Sequence, residues 1–220
     1  MKHLQKLGRA LMQAVAVMPV AALLMGIGYA IDPTGWGANS PVAAFFIQAG
    51  AAVLDNLGII FAVAVAYGLS KDKDGAAALS GLVGFFVVTA LLNTDTVAQL
   101  RHVAAEEIPA SLGFGAMNNK NVFVGILVGI LASWIYNRFH DKKLPDALAF
   151  FSGRRMVPIL TSLFSILLAA ILYFIWPVVY SGLVTFGQAI LKMGPLGAGI
   201  YAFFNRLLIP TGLHHALNSV

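Results

Sequence analysis

The chain has 220 residues, 59% of them apolar and only 10% charged, with a mean hydropathy of +0.83. A soluble domain carries about 45–50% apolar and about 25% charged residues, so this composition excludes both a water-soluble globule and a disordered chain. It has 14 basic against 9 acidic residues and no cysteine. The sequence is that of a basic integral membrane protein, without disulfides, thiolate metal sites or cysteine nucleophiles.

An apolar helix of about 20 residues crosses the hydrocarbon core. Residues 10–31 form the first such run. It follows a charged start (Lys2, Lys6, Arg9) and is longer than a signal-peptide core, which predicts a retained helix. Residues 41–69 form an over-long second run interrupted by Asp55-Asn56. Runs at 76–92, 121–136 and 156–180 follow, the last being the longest. The stretch 196–209 is apolar but short, and it contains Arg206.

Charge sets the expected topology. Lys2, Lys6, Arg9, Lys71, Lys73, Arg138, Lys142, Lys143, Arg154 and Arg155 fall on one side, against Arg101, Lys120 and Lys192 on the other. Ten against three predicts a cytoplasmic N-terminus. The outer connection 93–120 should hold a loop with a partial helix. The inner connection 137–155 alternates charge with Leu144, Leu148, Phe150 and Phe151, which suits an amphipathic helix on the membrane interface, started by Pro145. The expected fold is therefore all-α: a polytopic transmembrane bundle of about five full spans, with a cytoplasmic interfacial helix and a broken or re-entrant segment near the C-terminal end.

An ionisable group within a span costs at least about 2.5–3.5 kcal/mol at mid-bilayer, which makes it a functional pointer. Asp55 either caps a helix at a break beside Gly50 and Gly58 or contacts substrate. Arg206 either snorkels to the interface or belongs to a site. Its neighbourhood favours a site: Asn205, Pro210, Gly212, His214 and His215 crowd into eleven residues that would make a poor lipid-facing helix. Irregular backbone at membrane depth is tolerated only where protein or a water-filled cavity surrounds it, as in the broken helices of transporters. His214 and His215 would point about 100° apart on a helix, so one belongs to the site and the other to the structure. A metal pair would need i, i+4 spacing and further ligands, so no metal is expected. Imidazole suits hydrogen bonding to, or deprotonation of, a substrate hydroxyl. Gly125-x-x-x-Gly129 and Gly81-x-x-Gly84 read as helix-packing positions. No nucleotide-binding glycine loop is present. The pI near 9.6 follows from the basic loops, so no nucleic-acid partner and no cofactor are expected.

Several stretches resemble one family. Gln5-Lys-Leu-Gly-Arg-Ala10 leading into Val17-Met-Pro-Val-Ala-Ala-Leu-Leu24 is similar to the opening of the enzyme IIC membrane subunits of the bacterial sugar phosphotransferase system, glucose superfamily. So are Gly75-Ala-Ala-Ala-Leu-Ser-Gly-Leu82 and Leu144-Pro-Asp-Ala-Leu-Ala-Phe-Phe-Ser-Gly-Arg-Arg-Met-Val-Pro158. The most specific is Asn205-Arg-Leu-Leu-Ile-Pro-Thr-Gly-Leu-His-His215. Within the family, Ile-Pro-Thr-Gly-Leu-His-His-Ala-Leu-Asn-Ser resembles the N-acetylglucosamine branch, with glucose or maltose as the alternative substrates.

The resemblance implies group translocation, in which the sugar 6-hydroxyl takes a phosphoryl group from a phosphocysteine on enzyme IIB. It implies His214 in the sugar site as hydrogen-bond partner and general base. Arg206 would hold sugar oxygens or phosphoryl charge, with Asn205, His215 and Asp55 as further substrate-binding candidates. A homodimer in the bacterial inner membrane is a further implication. Two departures stand out. The donor cysteine is absent, so enzyme IIB must be another chain or part. The family's Gly-x-x-Glu-Pro motif is also missing, since Glu106-Glu107-Ile108-Pro109 lies in the wrong context. Residues 1–220 are thus expected to be the N-terminal part of the membrane subunit and to hold half a site. Competing expectations are an ion-coupled transporter with Asp55 as proton carrier, and a truncated, non-transporting interaction protein.

Overall fold

The computed structural model describes residues 2–191 and 195–208. All nine α-helices in that range follow from local chemistry. The first apolar run is two stacked helices, α1 (Lys2–Val15) and α2 (Met18–Ile31). They separate at Ala16 and Val17 because Pro19 has no N–H to offer the Val15 carbonyl. Together they give a 27-residue apolar span, Gln5–Ile31. The second run is also two helices, α3 (Pro41–Leu54) and α4 (Leu57–Leu69), bent by 44° at Asp55-Asn56. Helices α5 (Gly75–Leu92) and α7 (Val122–Phe139) match the third and fourth expected spans within a turn. The fifth span runs longer than expected: α8 (Met156–Leu191) continues for 36 residues through Pro177. Helix α9 (Pro195–Leu208) packs on α8.

Helix starts are set by short polar side chains. Ser40 Oγ accepts from Ala43 N–H ahead of α3, and Asp74 Oδ1 accepts from Ala76 N–H at 2.8 Å ahead of α5. Asn93 Oδ1 accepts from Thr96 N–H at 2.7 Å, starting α6 (Thr94–Arg101), the partial helix expected in the 93–120 connection. Thr161 bonds back to the Val157 carbonyl at 2.8 Å and Thr89 to the Phe85 carbonyl at 2.9 Å, whereas the buried Ser165 hydroxyl has no partner among the described residues. No apolar surface is thereby lost to unsatisfied donors at the two threonines.

The core lies where α4, α5, α7 and α8 meet. Phe85, Val88 and Leu92 of α5, Val124 and Val128 of α7, and Trp176 of α8 are buried together with Phe114 and Met117 of the connection. Helix α1 lies across α4, with Ala14 packed against Leu57, Phe61 and Val65. Helices α2 and α3 pair mainly with each other. The outward faces are apolar, with Leu23, Phe45, Phe174 and Val178 all exposed, as lipid-facing positions should be.

Two glycines allow the α4–α7 contact. A Cβ on Gly125 would meet the Gly58 carbonyl oxygen, and one on Gly58 would lie 2.7 Å from the Asn119 and Asn121 carbonyl oxygens. The bundle has a basic end, where the 70–74 connection meets the end of α7, and an opposite end rich in asparagine around 118–121.

The 137–155 connection differs from the expected α-helix. It forms two 3-10 helices, Asp146–Phe151 and Gly153–Arg155, with Leu148, Phe150 and Phe151 exposed. Ser152 Oγ accepts from Leu144 N–H at 2.9 Å and Gly153 N–H donates to the Lys142 carbonyl at 2.9 Å, closing the segment before four α-turns can form. The expected α-helix is replaced by 3-10 turns in which every residue from 145 to 151 is exposed. The broken segment expected around 210–215 lies outside the described residues.

The loop joining α2 to α3 is organised by Asp32. Its carboxylate accepts from Gly35, Gly37 and Asn39 N–H groups at 2.9, 3.1 and 3.0 Å, and from Asn39 Nδ2 at 3.3 Å. Coverage by its own loop pushes the carboxyl up, but these donors outweigh that and hold it below its ordinary value of 3.8. A depressed pKa means stabilisation present at neutral pH and lost as pH falls through the folded-state value. Trp36, packed edge-on against Tyr29, reports the loop. Its fluorescence should change as pH drops below the ordinary carboxylate range, and that transition should be missing from Asp32→Asn.

Gly125→Ala should cost about 1–3 kcal/mol through overpacking. Gly182→Ala, with nothing within 4 Å of its would-be Cβ, should be neutral or slightly stabilising. Thermal unfolding in detergent checks both, and equal effects would show that the α4–α7 contact is not tight.

Candidate functional site

The interruption at Asp55-Asn56 builds the first candidate site. An apolar helix cannot continue through two polar residues without placing them in lipid, so α3 ends and its last carbonyls need partners. Asn56 Nδ2 donates to the Ala52 carbonyl at 2.8 Å, while Asn56 Oδ1 accepts from Asn119 Nδ2 at 3.0 Å. The freed N–H of Gly58 donates to the Asn119 carbonyl at 2.8 Å. Asp55 Oδ1 pairs with Lys120 Nζ at 2.9 Å, each side chain being about half exposed at 52% and 59%. The carboxylate is thus an ion-pair partner, and the capping is done by Asn56.

The 118–121 segment is fixed in turn by its own amides. Asn118 Oδ1 accepts from Lys120 N–H at 2.9 Å. Asn121, buried at 8% exposure, caps α7 by accepting from Val124 N–H at 3.0 Å and donates to the Ala116 carbonyl at 2.9 Å. Between these groups and α5 lies an open surface depression of about 570 Å3, lined by Asp55, Phe86, Thr89, Asn93, Asn118 and Lys120 among others. One carboxylate, one ammonium, several amides and an aromatic face together suit a neutral polyhydroxyl ligand: amides and carboxylate for hydroxyls, the ring for an apolar sugar face.

The other expected site residues lie elsewhere. Arg206 stands exposed in the last turn of α9, where its charge complements the helix dipole. Asn205 is on the same helix, with its side chain outside the described set. His214 and His215 lie outside the described residues. No hydrogen bond or ion pair joins Asp55 to Arg206, since α9 packs on α8 while Asp55 faces the 118–121 segment.

The basic end holds a cluster that sequence reasoning missed. His140 Nδ1 lies 2.8 Å from the Tyr136 carbonyl, and its Nε2 lies 2.9 Å from Asp141 and 3.5 Å from Asp72. The Tyr136 hydroxyl donates to Asp72 at 3.3 Å, and Arg154 pairs with Asp74 at 2.7 Å. Asn137 accepts from Lys71 N–H at 2.7 Å and donates to the Leu69 carbonyl at 3.1 Å. Apart from the contacts of His140 with Tyr136 and Asp141, these bonds join positions more than 60 residues apart, so only the crowding of polar residues at the span ends could have signalled them. Among the described residues no group of three or more His, Asp or Glu is placed to hold a metal ion.

The family model described as "Phosphotransferase system, EIIC" matches residues 8–220. The chain is 42% identical, over its whole length, to the N-acetylglucosamine-specific EIICB component of Bacillus subtilis, covering 43% of that protein. It is 45% identical over 98% of its length to the N-acetylglucosamine-specific EIICBA component of Escherichia coli, covering 29% of it. A glucose-specific EIICBA component from Staphylococcus carnosus is 37% identical over 99% of the chain, with 34% of that protein covered. The chain therefore spans less than half the length of these relatives.

A half-exposed ion pair contributes about 0.2–1 kcal/mol, whereas losing a buried cap costs about 1–2 kcal/mol. Asp55→Asn should accordingly leave thermal stability nearly intact and Asn121→Ala should lower it clearly. The reverse order in detergent unfolding would mean that the ion pair, not the amide stitching, holds the joint.

Proposed function

Because the chain belongs to the phosphotransferase system EIIC family, we propose that it serves as the membrane permease part of a sugar phosphotransferase, carrying N-acetylglucosamine across the inner membrane for phosphorylation at the 6-hydroxyl. The observation that carries the substrate reading is that the relatives at 42–45% identity are N-acetylglucosamine-specific; below that level identity no longer sorts by sugar, with an N-acetylglucosamine-specific component at 35% and glucose-specific ones at 36–37%. The stretch from Asn205 to His215 points the same way. The proposed partner is phosphorylated enzyme IIB, supported by relatives whose names join IIC to IIB and IIA parts.

In this reading the phosphoryl group leaves a cysteine sulfur on enzyme IIB and forms a bond to the sugar O6, whose proton passes to His214. Arg206 holds sugar oxygens or the arriving phosphoryl charge, and Asn205 and His215 flank them. Asp55 meets the sugar at the asparagine-rich end, which faces outward. Its half-exposed pairing with Lys120 suits a hydrogen-bonding role better than that of a proton carrier isolated in hydrocarbon. The basic end then faces the cytoplasm, supported by Lys6, Arg9, Lys71 and Lys73 gathering there. The working unit is a homodimer.

Membrane vesicles containing the protein, supplied with phosphorylated enzyme IIB and radiolabelled N-acetylglucosamine, test the proposal. Sugar 6-phosphate should form, with glucose competing weakly. His214→Ala should reduce phosphorylation by about 10²-fold or more with insertion unchanged, while His215→Ala keeps most of it. Accumulation of unmodified sugar driven by a proton gradient would overturn the reading.

A further inference from the structure

We infer that the basic end carries a binding site for the headgroup of an anionic phospholipid, formed by Lys6 and Arg9 of α1, Lys71 and Lys73 of the α4–α5 connection, and the α7 surface at Trp134. These groups line one cleft of about 570 Å3, and among the described residues no acidic side chain lines it. The inference requires only that the chain lie in a bilayer, and it is independent of the sugar carried.

Charge is the first argument. The neighbouring acids are engaged elsewhere: Asp72 with Tyr136 and His140, Asp74 with Arg154, and Asp141 with His140. None of the four cations in the cleft has an ion-pair partner among the described residues. Four like charges around one cavity repel one another, so the arrangement calls for an anion of more than surface residence. Lys73 also holds a left-handed backbone, at φ 50°. That conformation is unfavourable for a residue with a Cβ and is often found where a side chain must be aimed.

Position selects a lipid over a soluble anion. The cleft sits at the start of the apolar span Gln5–Ile31 and at the end of α4, beside α7, its floor being Ala10 against Gly68; in a bilayer such span ends meet the surface. One wall is Ile130 and Trp134, exposed at 40% and 54% on the outer face of α7. A wall of that kind opens sideways to acyl chains, and an exposed indole at such a depth is typical of the headgroup layer. Cations above and apolar surface below match the two parts of one phospholipid. Basic pockets between transmembrane helices bind anionic headgroups on the same physical grounds.

Native mass spectrometry of the detergent-solubilised protein, titrated with phosphatidylglycerol or phosphatidylcholine, reads the preference. Phosphatidylglycerol should bind about tenfold or more tightly. That preference should fall to within about twofold in Lys71→Gln/Lys73→Gln, and equally in Lys6→Gln/Arg9→Gln, whose changes lie on a different element. Lys142→Gln/Lys143→Gln, which removes two exposed charges outside the cleft, should keep it. No preference in the unaltered protein, or equal loss in all three variants, would overturn the site in favour of general surface charge. Displacement of phosphatidylglycerol by millimolar inorganic phosphate would overturn the lipid in favour of a soluble anion.

Discussion

The joint between α4 and α7 at Gly58 and Gly125 is the constraint on which the rest of the structure depends. Lipid offers a backbone no hydrogen-bond partners, so a bent span must satisfy its freed groups from within the protein. Gly58 does this twice over. Its N–H reaches the Asn119 carbonyl at 2.8 Å, and its missing side chain lets α7 approach. A Cβ there would also stand 2.7 Å from the Phe85 ring, so α5 is drawn into the same contact. One residue therefore fixes the bend, the course of the 118–121 segment and the meeting of three helices.

The remaining architecture distributes around that joint. Beyond it α3 turns away and pairs with α2 through equally close contacts. A Cβ on Gly28 would lie 2.8 Å from the Ala43 carbonyl oxygen, so the two backbones nearly touch. On the other flank α8 is held to the connection by polar tips of aromatic residues. Trp176 Nε1 donates to the Gly113 carbonyl at 2.8 Å, and the Tyr173 hydroxyl accepts from Arg101 Nε at 2.7 Å. Gly113 has φ of +72°, and any side chain there would run into the Tyr180 ring. The connection is thus seated on α8 by groups that are apolar in body and polar at one end, as the edge of a membrane requires.

Hydropathy made the spans legible, and the polar pair Asp55-Asn56 marked the bend, because both signals are local. Pro19 was equally visible, yet the separation of α1 from α2 depends on whether neighbours tolerate a missing hydrogen bond, which a span reading does not weigh. The continuation of α8 past Tyr180 rests on helix propensity and packing beyond the apolar run. The site was half legible. Asp55 stood out as a charge inside a span, but its partner Lys120 lies 65 residues away at the end of a connection read as a loop with a partial helix. The basic cleft was visible solely as a count of charges; only the fold shows that four of them share one cavity while Asp72, Asp74 and Asp141 are drawn off by His140 and Arg154.

The two proposals constrain each other through charge. A sugar is neutral on entry, and its phosphate ester leaves with about −1.5 to −2 charges near neutral pH. At the end proposed to face outward, Lys120 is neutralised by Asp55, so nothing there favours an anion over a neutral sugar. At the opposite end four cations stand without acidic partners among the described residues. Left open, they would attract the newly made ester, each close pair contributing about 1 kcal/mol even in water and more where solvent is partly excluded. Product release would then be slowed by the same charges that are proposed to orient the protein in the membrane. A phospholipid headgroup in the cleft removes that attraction while leaving the orientation charges in place. The cleft is therefore better suited to a resident lipid than to passing substrate, and the proposed phosphoryl transfer stays assigned to the segment around Arg206 and His214.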